Sequence, residues 1–414
     1  MHPGKRILIL TNHFYPENFR ANDVAFDLVE KDFDVTVLTC IPNYPQGRFY
    51  KGYGLFKKRK EIVRGVKIIR VPLIPRGKGS LFMLSLNYIS YNFFLLIWSF
   101  FTALFNKFDS ILVHHTSPVF VGIPAVMVKK MQKIKLYFWN LDIWPESMTE
   151  TTGLKLTLLV KIIDKIVRLI YRNSDKILIS SKAFKPSLLS RGTDEKNIIY
   201  FPNWAEDLFL QKEIEKTDLN EYGVDQYSLK IMFAGNIGAA QDLENVINAI
   251  DLTSRSGSNI TWLFVGDGRK LEWMKNTVKE KNLAEKVFFL GQHPVERMPS
   301  FFNAADVMLV SLKNEYIFSL TAPAKIQTYM ASSKPILAMI SGEGAGIIKE
   351  SGCGLVSNAG DYESLYQNAI RFAKMSIPER EELGRNGYNS YINEFAKEKT
   401  LAKLQTIIHP CGDK

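Results

Sequence analysis

Short apolar runs flanked by polar turns recur along the chain, and their spacing predicts alternating strands and helices. Lys5–Thr11 reads as a buried strand, 22–31 as a helix and Asp34–Thr39 as a second strand. Val66–Val71, Ser110–His115, Lys135–Trp139 and Lys176–Ser180 continue the series, with a helix over Thr157–Tyr171. Tyr200-Phe-Pro-Asn-Trp204 interrupts the rhythm, and a polar, acid-rich stretch follows it to Asp225. Alternation then restarts with strands at Lys230–Ala234, Thr261–Val265, Val287–Leu290, Val307–Val310 and Pro335–Ala338, and a helix over 242–254. Continuous apolar strands separated by helices imply parallel sheets with helices on both faces. The expected fold class is therefore α/β, with one Rossmann-like domain over 1–204 and another over 205–388. Residues 389–414 read as a terminal helix. Open sheets of this kind bind ligands at the carboxyl ends of their strands, so the two sheets are expected to face a central cleft.

Charge and cysteine content narrow the setting. Cys40, Cys353 and Cys411 are three widely spaced thiols without a C-x-x-C pair, which points to a reducing, cytoplasmic compartment and away from a disulfide framework or zinc site. No secretory signal is recognised at the start of the chain. The formal net charge of +11 is concentrated: residues 51–78 carry ten bases (Lys51, Lys57, Lys58, Arg59, Lys60, Arg64, Lys67, Arg70, Arg76, Lys78) and one acid, Glu61. Such a block suits a polyanion. Residues 79–106, next in line, contain no charge at all. That stretch is long enough to span a bilayer, yet it is interrupted by Ser85, Asn87, Ser90, Asn92, Ser99 and Thr102 and followed by a resumed α/β pattern. A helix docking on an anionic membrane surface is the expectation for region 51–106, with a core helix and a true span as alternatives.

The strand-end loops carry the candidate chemistry. The loop after the first strand has no glycine, which argues against a G-x-G-x-x-G dinucleotide site, and instead offers His13, Glu17, Asn18 and Arg20 beside a helix start. Asp142 and Glu146 follow another first-domain strand and suit an acceptor hydroxyl or a base role, with helix capping as the structural alternative for Asp142. In the second domain Gly235-Asn236-Ile237-Gly238, Gly266-Asp267-Gly268 and Gly291-Gln292-His293 end three successive strands, a pattern for a nucleotide phosphate. Thr321-Ala-Pro323-Ala-Lys325 opens a helix and places an ammonium where it can meet a diphosphate. Asp32-Phe-Asp34 satisfies a D-x-D metal pattern but lies at the amino edge of a strand, and His114-His115 lack neighbouring carboxylates in sequence, so no metal site is expected.

Several stretches together resemble family 4 of the retaining glycosyltransferases, which have the GT-B fold, over nearly the whole chain. They are Pro42-Asn-Tyr-Pro-Gln-Gly47, Thr116-Ser-Pro118, Asp142-Ile-Trp-Pro-Glu146, Phe201-Pro-Asn203, Ala234-Gly-Asn-Ile-Gly238, and Pro323-Ala-Lys325 through Tyr329-Met-Ala331 with Lys334-Pro335. The resemblance is closest to the bacterial capsule and O-antigen subgroup that includes N-acetylfucosaminyl and fucosyl transferases. It implies a UDP-sugar donor bound mainly in the second domain and a polyprenyl-diphosphate-linked acceptor in the first. It also implies a terminal helix crossing back, metal-independent transfer without a cofactor, and work at the inner face of the cell membrane rather than on nucleic acid. On that basis Asp142, Lys325, Glu17 and Arg20 are the expected catalytic residues, and His13, Asn18 and Glu146 the acceptor contacts. Gly235, Asn236, Gly238, Gln241, Gly266, Gly268, Gln292, His293, Pro323, Gln327 and Thr328 are the expected donor contacts. The chain departs from the family where a pair of glutamates separated by seven intervening residues becomes Leu320 and Thr328, and where a loop Arg and Lys become Asn236 and Gln241. A UDP-sugar 2-epimerase and a non-catalytic membrane scaffold are the rival readings.

Overall fold

The computed structural model describes residues 5–77, 80–152, 157–211 and 214–409; Lys78, Gly79 and Cys411, singled out above, lie outside them. The chain divides into two compact units, Met1–Pro202 with Leu401–Lys414, and Asn203–Thr400.

Unit 1 contains β1 (Arg6–Thr11), β2 (Asp34–Cys40), β3 (Lys60–Val63), β4 (Val66–Val71), β5 (Ser110–His115), β6 (Lys135–Asn140), β7 (Lys176–Ile179) and β8 (Ile198–Tyr200). They form one sheet in the order β3-β4-β2-β1-β5-β6-β7-β8. Only β3 is antiparallel to its neighbour. Strands β1, β2, β5 and β6 are buried along almost their whole length, as their unbroken apolar sequences require of central parallel strands. The strand order reverses at β1, which lies between β2 and β5. The described end of the chain belongs to this unit: Gln405 Nε2 donates to Asp27 Oδ2 at 2.7 Å and Lys403 Nζ to the Tyr200 carbonyl at 2.8 Å.

The helix Leu81–Phe105 is inverted relative to an ordinary amphipathic helix. Asn87, Tyr91, Leu95, Ser99, Thr102 and Ala103 face inward, whereas Phe82, Ile89, Phe93, Leu96, Phe100, Leu104 and Phe105 are exposed. Only 28% of its apolar window is buried, so the core-helix alternative describes one side of it and not the other. Two of the inward polar side chains are used: Tyr91 Oη donates to the Thr11 carbonyl at 2.7 Å and Asn87 Nδ2 to the Ile74 carbonyl at 2.6 Å.

The basic block is likewise less uniform than its sequence. Arg64 and Lys67 pair with Glu30 and Asp34, each at 2.8 Å. Arg70 is fully buried, bonds Glu61 at 2.5 Å and the carbonyls of Tyr15 and Lys58 at 2.8 and 3.1 Å, and lies over the Tyr53 ring. Its role is internal, contrary to the expectation of a surface charge. Lys51, Lys57, Lys58 and Lys60 are exposed, beside a fully projecting Phe56.

Unit 2 contains β9 (Leu229–Ala234), β10 (Ile260–Val265), β11 (Val287–Gly291), β12 (Val307–Ser311), β13 (Ile336–Met339) and β14 (Gly354–Ser357). These make a wholly parallel sheet in the order β11-β10-β9-β12-β13-β14, reversing at β9. Its core packs Ile231, Phe233, Trp262, Phe264 and Leu309 against Val246, Ile250 and Phe372 of the covering helices.

Removing one partner of a buried ion pair strands the other. Arg70→Ala is expected to cost about 3 kcal/mol of stability, read by urea unfolding; a loss below about 1 kcal/mol would mean that the Glu61 pair is no stronger than a surface one.

Candidate functional site

Both carboxyl edges place polar groups at a topological switch point, where open α/β sheets take ligands. In unit 1 the loops after β1, β2, β5 and β6 meet there, and each contains a cis X-Pro bond (Tyr15-Pro16, Tyr44-Pro45, Ser117-Pro118, Trp144-Pro145).

Glu17 and His13 hold these loops together. Glu17 is buried; its Oε1 accepts the backbone N–H groups of Asn43 and Tyr44 at 2.7 and 2.6 Å, and its Oε2 meets His13 Nδ1 at 2.7 Å. His13 Nε2 in turn meets Arg76 Nη2 at 2.9 Å, and its ring stacks on Phe19. Since a guanidinium only donates, Nε2 must carry the lone pair and Nδ1 the proton. The catalytic role expected of Glu17 and the acceptor role expected of His13 are thus corrected: their polar atoms are engaged in loop assembly. Cys40 completes a trio whose potential ligand atoms lie within 4.8 Å of one another. Burial, then Glu17, pushes its thiol well up, so it stays protonated beside two residues already partnered. Asn18 is exposed and Arg20 half-buried at the start of the helix Arg20–Glu30.

His114 and His115 are buried and neutral. Thr11 Oγ1 gives its one proton to the His13 carbonyl at 3.0 Å, so His114 Nδ1, 2.9 Å from that oxygen, is the donor. His115 Nδ1 bonds Asn140 Oδ1 at 2.9 Å. Burial, His115, His13 and Arg20 depress His114 to about 3, and burial depresses His115 to about 4. Both Nε2 atoms are left without a protein partner, as are Asn12 Oδ1, Thr116 Oγ1 and Asn140 Nδ2. Buried polar atoms are ordinarily satisfied by protein or by ordered water, and this concentration at one strand edge is suited to hydroxyl-bearing ligands or water. Sequence reasoning passed over Asn12, Thr116 and Asn140, although each directly follows or ends a buried strand.

Asp142 is half-buried after β6; its carboxylate accepts from Ile143 N at 2.9 Å, Trp144 Nε1 at 3.2 Å and the Ser147 hydroxyl. Burial nevertheless raises its pKa, with those bonds opposing. A carboxyl so tuned can hold or accept a proton. Glu146 is corrected: Arg191 Nη2 takes both its oxygens, at 2.9 and 3.1 Å, and Arg191 Nε bonds Asp164 at 2.8 Å, so this glutamate ties helices together.

In unit 2 the glycine turns interlock. Gly235 N donates to the Val265 carbonyl and Gly266 N to the Gly291 carbonyl, both at 2.8 Å, and Ile237 N to the Asp267 carbonyl at 2.8 Å. Gly266 has φ +140°, and a Cβ there would stand 2.0 Å from the Gly235 carbonyl oxygen, so no other residue fits. Gly268 is as tightly bounded by the Ile237 carbonyl. Asn236 and Gln292 are exposed at this edge.

Lys325, at the start of the helix Ala324–Ala331, lies against these turns. Its Nζ is 3.5 Å from the Phe233 ring centroid and 3.4 Å from Gln241 Oε1, and no carboxylate pairs with it among the described residues. Burial lowers its pKa to about 7. Three of the expected donor residues are engaged or buried within the unit. His293 Nε2 bonds the Leu290 carbonyl at 2.8 Å, Gln327 is buried inside the unit, and the Thr328 hydroxyl donates to the Ala324 carbonyl at 3.0 Å. Pro323 immediately precedes the same helix. Lys270 and Lys313, missed in the sequence, flank a shallow groove with Gly238 and Asp242. A cavity of about 400 Å³ lies at the opposite, amino edge, where Lys334 Nζ bonds the carbonyls of Asn303 and Ala305 at 3.3 and 2.8 Å; it is remote from the glycine turns.

Over 97% of this chain and 98% of the other, the structure superposes on Anabaena Alr3699/HepE in complex with UDP and glucose, with a TM-score of 0.69 at 12% identity. The fold is GT-B. Residues 215–390 of this GT-B chain match the family model "Glycosyl transferases group 1". The chain is similar to the probable glycosyltransferase WbjE of Pseudomonas aeruginosa, 27% identical over 51% of this chain and 53% of that one. It is also similar to the putative colanic acid biosynthesis glycosyl transferase WcaI of Escherichia coli, 27% identical over 34% and 35%. The matched region thus spans about half the length of the first of these relatives and a third of the second.

Gly266→Ala is expected to destabilise unit 2 by about 3 kcal/mol or more, since both the backbone conformation and the space exclude a side chain; unchanged chemical unfolding would refute the interlock.

Proposed function

We propose that this chain is a retaining glycosyltransferase of family 4, in the capsule and O-antigen subgroup, acting in polysaccharide biosynthesis. It transfers a sugar, N-acetylfucosamine or another deoxyhexose derivative, from a UDP-sugar to a polyprenyl-diphosphate-linked acceptor at the cytoplasmic face of the membrane. The similarity to WbjE and WcaI and the UDP held by HepE support this reading. The observation that carries it is Lys325: an ammonium that no carboxylate pairs with among the described residues, set against glycine turns whose backbone admits a phosphate.

In this reading the pyrophosphate lies along the glycine turns of unit 2 and Lys325 neutralises the charge that grows on it as the sugar departs. The anomeric C1–O bond to phosphate breaks, a new C1–O bond forms to the acceptor hydroxyl, and the leaving phosphate takes the hydroxyl proton. No metal enters the scheme. Asp142 accepts a hydrogen bond from a neighbouring hydroxyl of the acceptor and so orients the attacking one. The outward aromatic face of Leu81–Phe105, with Lys51, Lys57, Lys58 and Lys60 nearby in sequence, supplies the two signals that stable attachment to an anionic bilayer needs. A UDP-sugar incubated without acceptor separates transfer from epimerisation, and a protein with no donor affinity would be the scaffold instead.

A pyrophosphate beside Lys325 favours its protonated form and raises its pKa from about 7. Affinity for UDP-glucose, whose diphosphate does not titrate in this range, is therefore greatest below pH 7. It falls by up to about tenfold per pH unit above that, until the pKa of the complex is reached. Calorimetry from pH 6 to 9 reads this directly; Lys325→Gln should bind at least about tenfold more weakly at pH 6.5 and lose the slope. A slope surviving in the variant would remove Lys325 from the site.

Phe93→Ser with Phe100→Ser should reduce co-sedimentation with anionic phosphatidylglycerol vesicles by about a hundredfold. Unaltered partition, with the protein still folded, would contradict membrane docking through that face.

A further inference from the structure

Arg76 differs from the ion-paired bases Arg64, Lys67 and Arg70 of the same 51–78 block. The segment 72–77 that carries it follows β4 and is fastened on two sides. The helix Leu81–Phe105 holds it through Asn87 Nδ2 on the Ile74 carbonyl at 2.6 Å and Ser90 Oγ on Ile74 N at 2.9 Å. The loop after β2 holds it through Gly77 N on the Gly47 carbonyl at 2.9 Å. That approach depends on Gly47, which has φ +71° and whose Cβ would stand 1.9 Å from the Gly77 carbonyl oxygen.

The guanidinium is then oriented by three rings. It lies 5.3 Å from the Tyr44 centroid and 5.8 Å from the Tyr88 centroid, and it donates from Nη2 to His13 Nε2. The imidazole is neutral, for the reason of tautomer given above, and Glu17 stands behind it, its two oxygens already bonded to His13 and to two backbone amides. Arg64, Lys67 and Arg70 each have a carboxylate within 2.8 Å, whereas Arg76 has an imidazole. Its Nε is buried and has no protein partner. A guanidinium fixed at the carboxyl edge, bonded to the loop of β1, lying over the Tyr44 ring of the β2 loop and separated from Glu17 by a neutral imidazole, is suited to a phosphate. Tyr88 and Asn87, which support it, belong to the same helix whose other face exposes Ile89, Phe93 and Phe100.

We propose that Arg76 is the binding residue for the diphosphate of a prenyl-linked acceptor, with His13 and Glu17 as the positioning residues that aim it. This rests on the acceptor class given under the proposed function. A lipid lying against the exposed helix face would bring its phosphate to the opposite side of one helix, a thickness of about 10 Å.

The full-length protein in detergent micelles is titrated with farnesyl diphosphate, farnesol and inorganic pyrophosphate, comparing the parent with Arg76→Gln and Arg76→Lys. Thermal unfolding reports on folding, and UDP-glucose binding is measured in parallel. Arg76→Gln should bind farnesyl diphosphate at least about tenfold more weakly with farnesol unaffected, and Arg76→Lys should recover part of the loss, because the charge returns without the planar stacking. Equal farnesyl diphosphate affinity in the parent and a folded Arg76→Gln overturns the assignment. Pyrophosphate bound as tightly as farnesyl diphosphate, with the same loss in the variant, overturns the lipid source and leaves a free-phosphate site. Absence of UDP-glucose binding in every form would count against the transferase reading alone, since the farnesyl diphosphate comparison judges Arg76 separately.

Discussion

A desolvated ammonium that no carboxylate pairs with among the described residues is the constraint on the carboxyl edge of unit 2. Burying a charge is costly, and a lysine in such a position relieves the cost by shifting its pKa; Lys325 moves to about 7 and rests against the Phe233 ring. The position is tenable because the glycine turns leave room for it and the sheet reverses at β9 directly above it. Packing alone would favour an apolar residue there. An ammonium becomes intelligible if an anion completes the site.

Unit 1 solves the opposite problem. It buries a carboxylate, Glu17, and satisfies it fully with two amides and an imidazole, so that the charge assembles loops and is spent there. What remains available at that edge are mostly neutral acceptors and donors, the Nε2 atoms of His114 and His115 with Asn12, Thr116 and Asn140, together with the raised carboxyl of Asp142 and the Arg76 guanidinium. Such a surface is matched to hydroxyl groups more than to a nucleotide phosphate. The two edges thus differ in kind: unit 1 offers mainly neutral hydrogen-bonding groups, unit 2 a lysine set against glycine turns.

The elements legible in the sequence were those with a continuous apolar signature. Strands β4 and β5 match the expected residues at both ends, and β1, β2 and β9 differ by a residue. The three strands that went unrecognised, β3, β8 and β14, are all at sheet edges, three or four residues long and partly exposed. An edge strand has one neighbour and little to bury, so its sequence carries little pattern. At the sites, residue type at a strand end located the chemistry but could not say which partner each group already had. Glu146 and His293 stand where expected, yet Arg191 and the Leu290 carbonyl occupy them. Arg76 was counted only as one charge among ten, because its isolation from carboxylates depends on contacts with His13 and Tyr44 that are distant along the chain.

The most direct test of the central claim is the titration of Lys325 itself, by NMR of protein carrying isotope-labelled lysine, with Lys325→Gln used to assign the signal. The expected result is a midpoint near 7 in the free protein and a shift upward by at least about one unit when UDP-glucose is present. An ordinary lysine midpoint in the free protein, or one that UDP-glucose leaves in place, would contradict the account.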